Sequence, residues 1–186
     1  MFNKKDIFDE MKKEIGDIIQ LLNSTTACVT GHRSQKLPWK FNENDERCIR
    51  MKQKLKEEFI KAIERGYTTF ITGMALGFDM ICAEILLELK KKYKFIKIIG
   101  ALPCRNQDKL WPAKEKERYR KLLDKLDAIR CIYNEYNGAE CMHERNHYMV
   151  SNSSLIIALY NGLPGGTQKT IEFAKQQGLD VVIIEP

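Results

Sequence analysis

No window of the chain reaches the roughly 18 consecutive apolar residues of a membrane span, so no transmembrane helix is expected. The N-terminal stretch MFNKKDIFDEMKKEIG is too charged to be the apolar region of a signal peptide, and a cytoplasmic location is expected. Cysteine is present without organisation: Cys28, Cys48, Cys82, Cys104, Cys131 and Cys141 include no C-x-x-C pair, and most sit inside apolar strand or helix patterns. They read as reduced core thiols, which leaves neither a disulfide framework nor a zinc site. Low-complexity stretches and internal repeats are missing as well.

What the chain does have is 186 residues with 44% hydrophobic content, enough to bury one core and suited to a single domain. Its formal charge of +6 favours anionic partners, because a positive field attracts phosphate-bearing ligands. Lys90, Lys91 and Lys92, and the basic residues between Lys114 and Lys121, are interleaved with acids or sit at helix ends. They read as solvated helix faces.

Ile7, Met11, Ile15, Ile18 and Leu22 stand three or four apart and predict one apolar stripe, hence an accessory helix within residues 1–25 docked on the rest. Residues 26–186 form the domain proper. Strand patterns at 26–30, 68–72, 95–101, 127–132, 154–159 and 180–184 alternate with helix patterns at about 43–65, 77–92, 111–125, 139–152 and 166–177. Gly66 and Gly178 stand where two of these helices should close. The alternation predicts an α/β, Rossmann-like open parallel sheet of about six strands with helices on both faces. Right-handed crossovers then bring every strand-to-helix loop to one edge, where ligands of such sheets bind.

Four segments at that edge carry chemistry. After the first strand, Gly31 allows close backbone approach, while His32 and Arg33 offer a titratable donor and a cationic fork. Trp39, in the following stretch LPWKFNEND, reads either as a lid over a base or as a core anchor. After the second strand, the turn from Gly73 through Gly77 to Asp79 is suited to phosphate at a helix N-terminus, with Asp79 capping the helix or bonding a ribose hydroxyl. No Gly-Lys-Ser/Thr follows, so the turn is not a Walker A loop.

On the fifth helix pattern Arg145 and Met149 share a face, as do Met142 and Asn146, which permits an inward Arg145–Asn146 pair. His143 and His147 have a metal-compatible spacing but no third ligand, and a structural or surface role is preferred. Finally, Asn161 precedes Gly165, Gly166 and Thr167, a second flexible turn into a helix in which Thr167 is a natural N-cap.

Through TGHRS, TGMALGFDMICAEIL and ERNHYMVSNSSLIIALYNGLPGGT, in that order from about Thr26 to the C-terminus, the chain resembles the SLOG superfamily. That superfamily unites the DprA (Smf) domain with the LOG phosphoribohydrolases, and the resemblance is nearest to its YpsA-like branch. LOG enzymes hydrolyse the N-glycosidic bond of nucleoside monophosphates with an Arg and a Glu. The resemblance places these roles on Arg145 and Glu172, with Gln168 and Lys169 replacing a Gly-Thr pair and Tyr160 to Leu163 inserted ahead of Pro164. DprA, which binds single-stranded DNA, has a turn similar to Thr72–Asp79.

The expected function is binding of a nucleotide or nucleotide-derived ligand, such as a nucleoside phosphate, cyclic nucleotide or ADP-ribose type, by a sensor or sequestering module. The alternatives are a LOG-like phosphoribohydrolase and a DprA-like strand binder. Basic stretches without clear aromatic interleaving disfavour nucleic acid as a partner. No metal, cofactor or membrane is expected, and homo-oligomerisation stays open.

Overall fold

Short β-branched runs separated by helices can pair only through crossovers, and the resulting strands run parallel. The computed structural model describes the backbone of residues 4–186 and the side chains of residues 8–186. Its elements are α1 Lys4–Ser24, β1 Thr26–Gly31, a 3₁₀ turn Ser34–Lys36, α2 Glu46–Glu64, β2 Thr69–Thr72, α3 Phe78–Lys90, β3 Lys97–Cys104, α4 Ala113–Leu123, β4 Ala128–Tyr133, α5 Glu140–Ser151, β5 Leu155–Leu159, α6 Gly166–Gln176 and β6 Asp180–Ile184. The six strands lie in the order β4-β3-β2-β1-β5-β6, and every neighbouring pair is parallel.

Alternate residues of the central strands feed two different cores. Val29, Leu155 and Ile157 join Leu55 and Phe59 of α2 and Ile81 and Leu86 of α3, whereas Cys28 and Ile156 join Met149 of α5 and Ala174 of α6. Because both faces are covered, the strands are apolar throughout rather than alternating. Buried Trp39 belongs to the first of these cores, which makes it a core anchor and not a lid. β3 runs past its predicted end to Cys104; Pro103 is tolerated there because the ladder with β2 has already ended at Gly100. The cysteines behave as core thiols, and burial pushes Cys28 up to about 12.

The predicted N-terminal helix exists, but it is not docked. Met11, Ile15, Ile18 and Leu22 are 53–62% exposed, while Ile7, the first position of the stripe, has a side chain outside the described residues. α1 is held at its C-terminal end, where Asn23 donates to the Ser151 carbonyl at 3.1 Å and Ser154 to the Ser24 carbonyl at 3.0 Å. α2, α3 and α4 cover one face of the sheet and α5 and α6 the other, and the stripe of α1 belongs to neither core.

A free stripe has a measurable consequence. Ile15→Ala is expected to change unfolding free energy by no more than about 0.5 kcal/mol, while Leu55→Ala, in the core, costs about 2–5 kcal/mol. Urea unfolding of the two variants decides it, and equal losses would mean that α1 packs on the domain.

Candidate functional site

The chain order reverses between β1 and β5. After β1 the chain steps outward through β2, β3 and β4, then crosses back to β5 and β6 on the other side. Loops diverge at such a switch point and leave a crevice beyond the strand ends. A cavity of about 460 Å³ lies there, reached by Gly31, His32 and Arg33 after β1, by Asp79 of α3, by Arg145 and Asn146 of α5, and by the segment Asn161–Thr167 after β5.

Its floor is built around a buried cation. Arg145, 6% exposed, donates from Nη1 to the Gly73 carbonyl and from Nε to Asn146 Oδ1 at 2.8 Å, and it lies 3.9 Å from Asp79 Oδ2. Asn146 then donates to Thr170 Oγ1 at 2.9 Å, and Thr170 donates to the Gly166 carbonyl at 2.8 Å. Three hydrogen bonds therefore connect Arg145 to the first turn of α6. On the opposite wall His32 Nε2 meets Asn161 Oδ1 at 2.9 Å, and the same oxygen accepts the Leu163 amide at 3.1 Å. An amide oxygen only accepts, so His32 carries its proton on Nε2.

Burial pushes the Asp79 carboxyl above its ordinary range, and the nearby Arg145 and the Ala75 amide offset only part of this. Burial likewise lowers Arg145 from its usual value, against the pull of Asp79. Each charge is tolerated because the other is present.

The two glycine-rich turns, similar in sequence, are used differently. In the turn after β2 the Met74 amide donates to Thr72 Oγ1 at 3.3 Å and the Ala75 amide to Asp79 Oδ2 at 3.2 Å. Those amides are spent inside the turn, so it is not the phosphate cradle expected of it. Gly73 and Gly77 do not line the cavity, which corrects their assignment as ligand-binding residues. A side chain at Gly73 would collide with the Arg145 guanidinium. Gly77 has φ +108° and bridges to Arg33, and a Cβ there would stand 2.6 Å from the Ser34 amide. Gly31 reaches the cavity, and its own constraint is contact with the Phe78 ring.

The turn after β5 is open. α6 has Gly165 as its N-cap, no side chain caps it, and Gly166 and Thr167 line the cavity. Thr167 is thus in the first turn and not the cap that its sequence position suggested. Unpaired amides at a helix start carry partial positive charge and bind anions. Lys36, which sequence reasoning missed, reaches this turn: its Nζ is 4.0 Å from where a Cβ on Gly165 would stand. Arg33 is the N-cap of the 3₁₀ turn and Lys36 its last residue. Met142, Met149, Leu163 and Pro164 complete the lining as an apolar wall.

Glu172 does not join Arg145. It is exposed on α6, accepts from Gln168 Nε2 at 2.8 Å, and is absent from the cavity lining, because the buried stripe of α6 is Thr167, Thr170, Ile171 and Ala174. This corrects its expected catalytic place. His147 is likewise on an outer face, stacked on Phe173 with centroids 4.3 Å apart.

Residues 27–183 match the family model described as the YspA SLOG family. The chain is 35% identical to the SPbeta prophage-derived protein YoqJ of Bacillus subtilis, over 66% of this chain and 81% of that protein. It is 31% identical to a UPF0398 protein of Brevibacillus brevis, over 76% and 75%. Among solved structures, DNA processing protein A from Helicobacter pylori, described for its single-stranded DNA binding mode, superposes with TM-score 0.59 at 17% identity, covering 88% of this chain and 67% of that one. DNA processing protein A from Streptococcus pneumoniae gives TM-score 0.62 at 17% identity, and the chain spans about half (51%) of its length. These two likenesses establish a shared fold. They also overturn the expectation that sets nucleic acid aside, because this fold serves a single-stranded DNA binder.

The geometry of the floor makes Arg145 a stability determinant. Arg145→Ala is expected to cost about 3–5 kcal/mol, since it strands the Asp79 charge and the Gly73 carbonyl. Without the guanidinium the Asp79 carboxyl moves further up. A carboxyl raised on folding contributes stability that is fully present below its unfolded value and is lost as pH rises through the folded one. The gap between variant and wild type should therefore widen from about pH 4 to about pH 7. Denaturant titrations across that range check it, and a constant gap would disprove the coupling.

Proposed function

The chain belongs to the YspA SLOG family, and from that premise we propose that the crevice at the β1–β5 switch point binds a nucleotide-derived ligand by its phosphate. The observation that carries this reading is the approach of Lys36 to the uncapped start of α6, in a cavity that Arg33 also lines. Two cations and a row of free amides complement a phosphate dianion, and charge-assisted hydrogen bonds of this kind are the strong ones. The apolar wall of Met142, Met149 and Leu163 suits the flat face of a base.

The reading is of a binding module, a sensor or sequestering protein. A LOG-like hydrolysis calls for a second acidic group beside the ribose. Asp79 is the one carboxylate among the lining residues, and it is engaged by the Ala75 amide and Arg145. A second reading, a single strand of DNA entering the same crevice, is favoured by the fold shared with DNA processing protein A.

Isothermal titration calorimetry with the four ribonucleoside 5′-monophosphates, ADP-ribose and a short deoxyoligonucleotide tests both. At least one mononucleotide or ADP-ribose is expected to bind, Lys36→Ala to weaken it about tenfold or more, and Glu172→Gln to leave it unchanged. Binding of the oligonucleotide alone would transfer the site to the second reading. Undiminished binding by Lys36→Ala would remove the α6 turn from the site.

A further inference from the structure

The polar atoms at the floor of the crevice are only partly used by the protein itself. Asp79 is 6% exposed and lines the cavity; its Oδ2 accepts the Ala75 amide, and among the described residues nothing donates to its Oδ1. Arg145 is equally buried; Nε and Nη1 are engaged, while Nη2 has no hydrogen-bond partner among the described residues. Among the described residues the one fully enclosed side-chain N or O atom without a partner is Trp39 Nε1, so Asp79 Oδ1 and Arg145 Nη2 keep some exposure, and both residues line the cavity. An acceptor and a donor thus stand under the crevice on two side chains whose Oδ2 and Nη1 are 3.9 Å apart. Buried polar groups in native proteins are satisfied, and these two await a partner that enters from the cavity.

The chemistry of the pair selects that partner. A phosphate is repelled by the Asp79 carboxylate, and an apolar group would leave both atoms unpaired. A hydroxyl donates to the carboxylate and accepts from the guanidinium at once, and two adjacent hydroxyls satisfy both while keeping the geometry planar to the floor. Position agrees. Asp79 is set over the end of β2, against Gly73, and α6 starts beyond β5, with β1 between them. Two strand spacings are roughly 10 Å, a span suited to a 5′-phosphate at one end and the sugar hydroxyls of the same nucleotide at the other.

We infer that Asp79, backed by Arg145, is a ribose subsite that takes the vicinal hydroxyls of a ribonucleotide-class ligand and discriminates against deoxyribose. This rests on the phosphate site proposed above. Asp79 touches the ligand; Asn146 and Thr170 act through Arg145 as positioning residues, tying the sugar floor to the phosphate turn.

The test uses the full chain and calorimetric titration with AMP, GMP, CMP and UMP beside their 2′-deoxy counterparts. A site that hydrogen-bonds a hydroxyl rejects the analogue lacking it, because its own buried groups are left unpaired. The ribonucleotide that binds is expected to bind at least tenfold tighter than its deoxy form. Asp79→Asn, checked for folding by circular dichroism, is expected to shrink that ratio to below about threefold. Should that variant unfold, the wild-type ratio, together with the 2′-O-methyl nucleotide binding as poorly as the deoxy form, still decides the ribose class. Equal affinity of ribo and deoxyribo forms overturns the ribose subsite and leaves the phosphate reading standing. Failure of every nucleotide here, together with failure of ADP-ribose, overturns the phosphate reading and the subsite with it.

Discussion

A single buried guanidinium organises the ligand edge of this protein. Arg145 enters from α5 and meets the carbonyl of Gly73, the side chain of Asn146 and the carboxylate of Asp79, three groups from the two sides of the switch point. A cation removed from water must find such partners, since an unpaired charge costs several kcal/mol. The surrounding sequence is constrained accordingly. Residue 73 has no room for a side chain, an acid at position 79 becomes tolerable in the interior, and Asn146 passes the constraint to Thr170 and the start of α6.

The result is a division of labour along the crevice. The turn after β2 turns its amides inward and serves as framework, whereas the turn after β5, without a capping side chain, keeps its amides free for an anion. Lys36 stands beside the open turn, Arg33 reaches Met142 Sδ at 3.8 Å, and the Asp79–Arg145 pair lies in the same cavity. The exposed stripe of α1 stands apart from this arrangement; its period describes a helix with an apolar side, but a period carries no information about what covers that side.

Sequence patterns and the structure agree wherever the signal is local. Strands and helices were legible because β-branched runs and helical periods are properties of neighbouring residues, and Gly66 and Gly178 close α2 and α6 with positive φ at the places predicted for them. Motif order singled out Arg145, Asn146, Asn161, Gly165, Gly166 and Thr167, which line one cavity. Gly73, Gly77 and Glu172 were misread because a motif records which residue is present and not which way it faces. Glu172 falls a fraction of a helical turn away from the buried stripe of α6, and that angle puts it in solvent.

By itself, then, the order of residues determined the doubly wound parallel sheet, the edge at which the crevice opens and the basic character of the chain, since these follow from local periodicity, crossover handedness and composition. Tertiary structure alone decided which of two glycine turns is open, that Lys36 lines the cavity, that Glu172 stays outside it, and that the stripe of α1 is left exposed. Each of these depends on distances between residues far apart in the chain, and whether an amide is spent or free is settled only when its neighbours in space are in place.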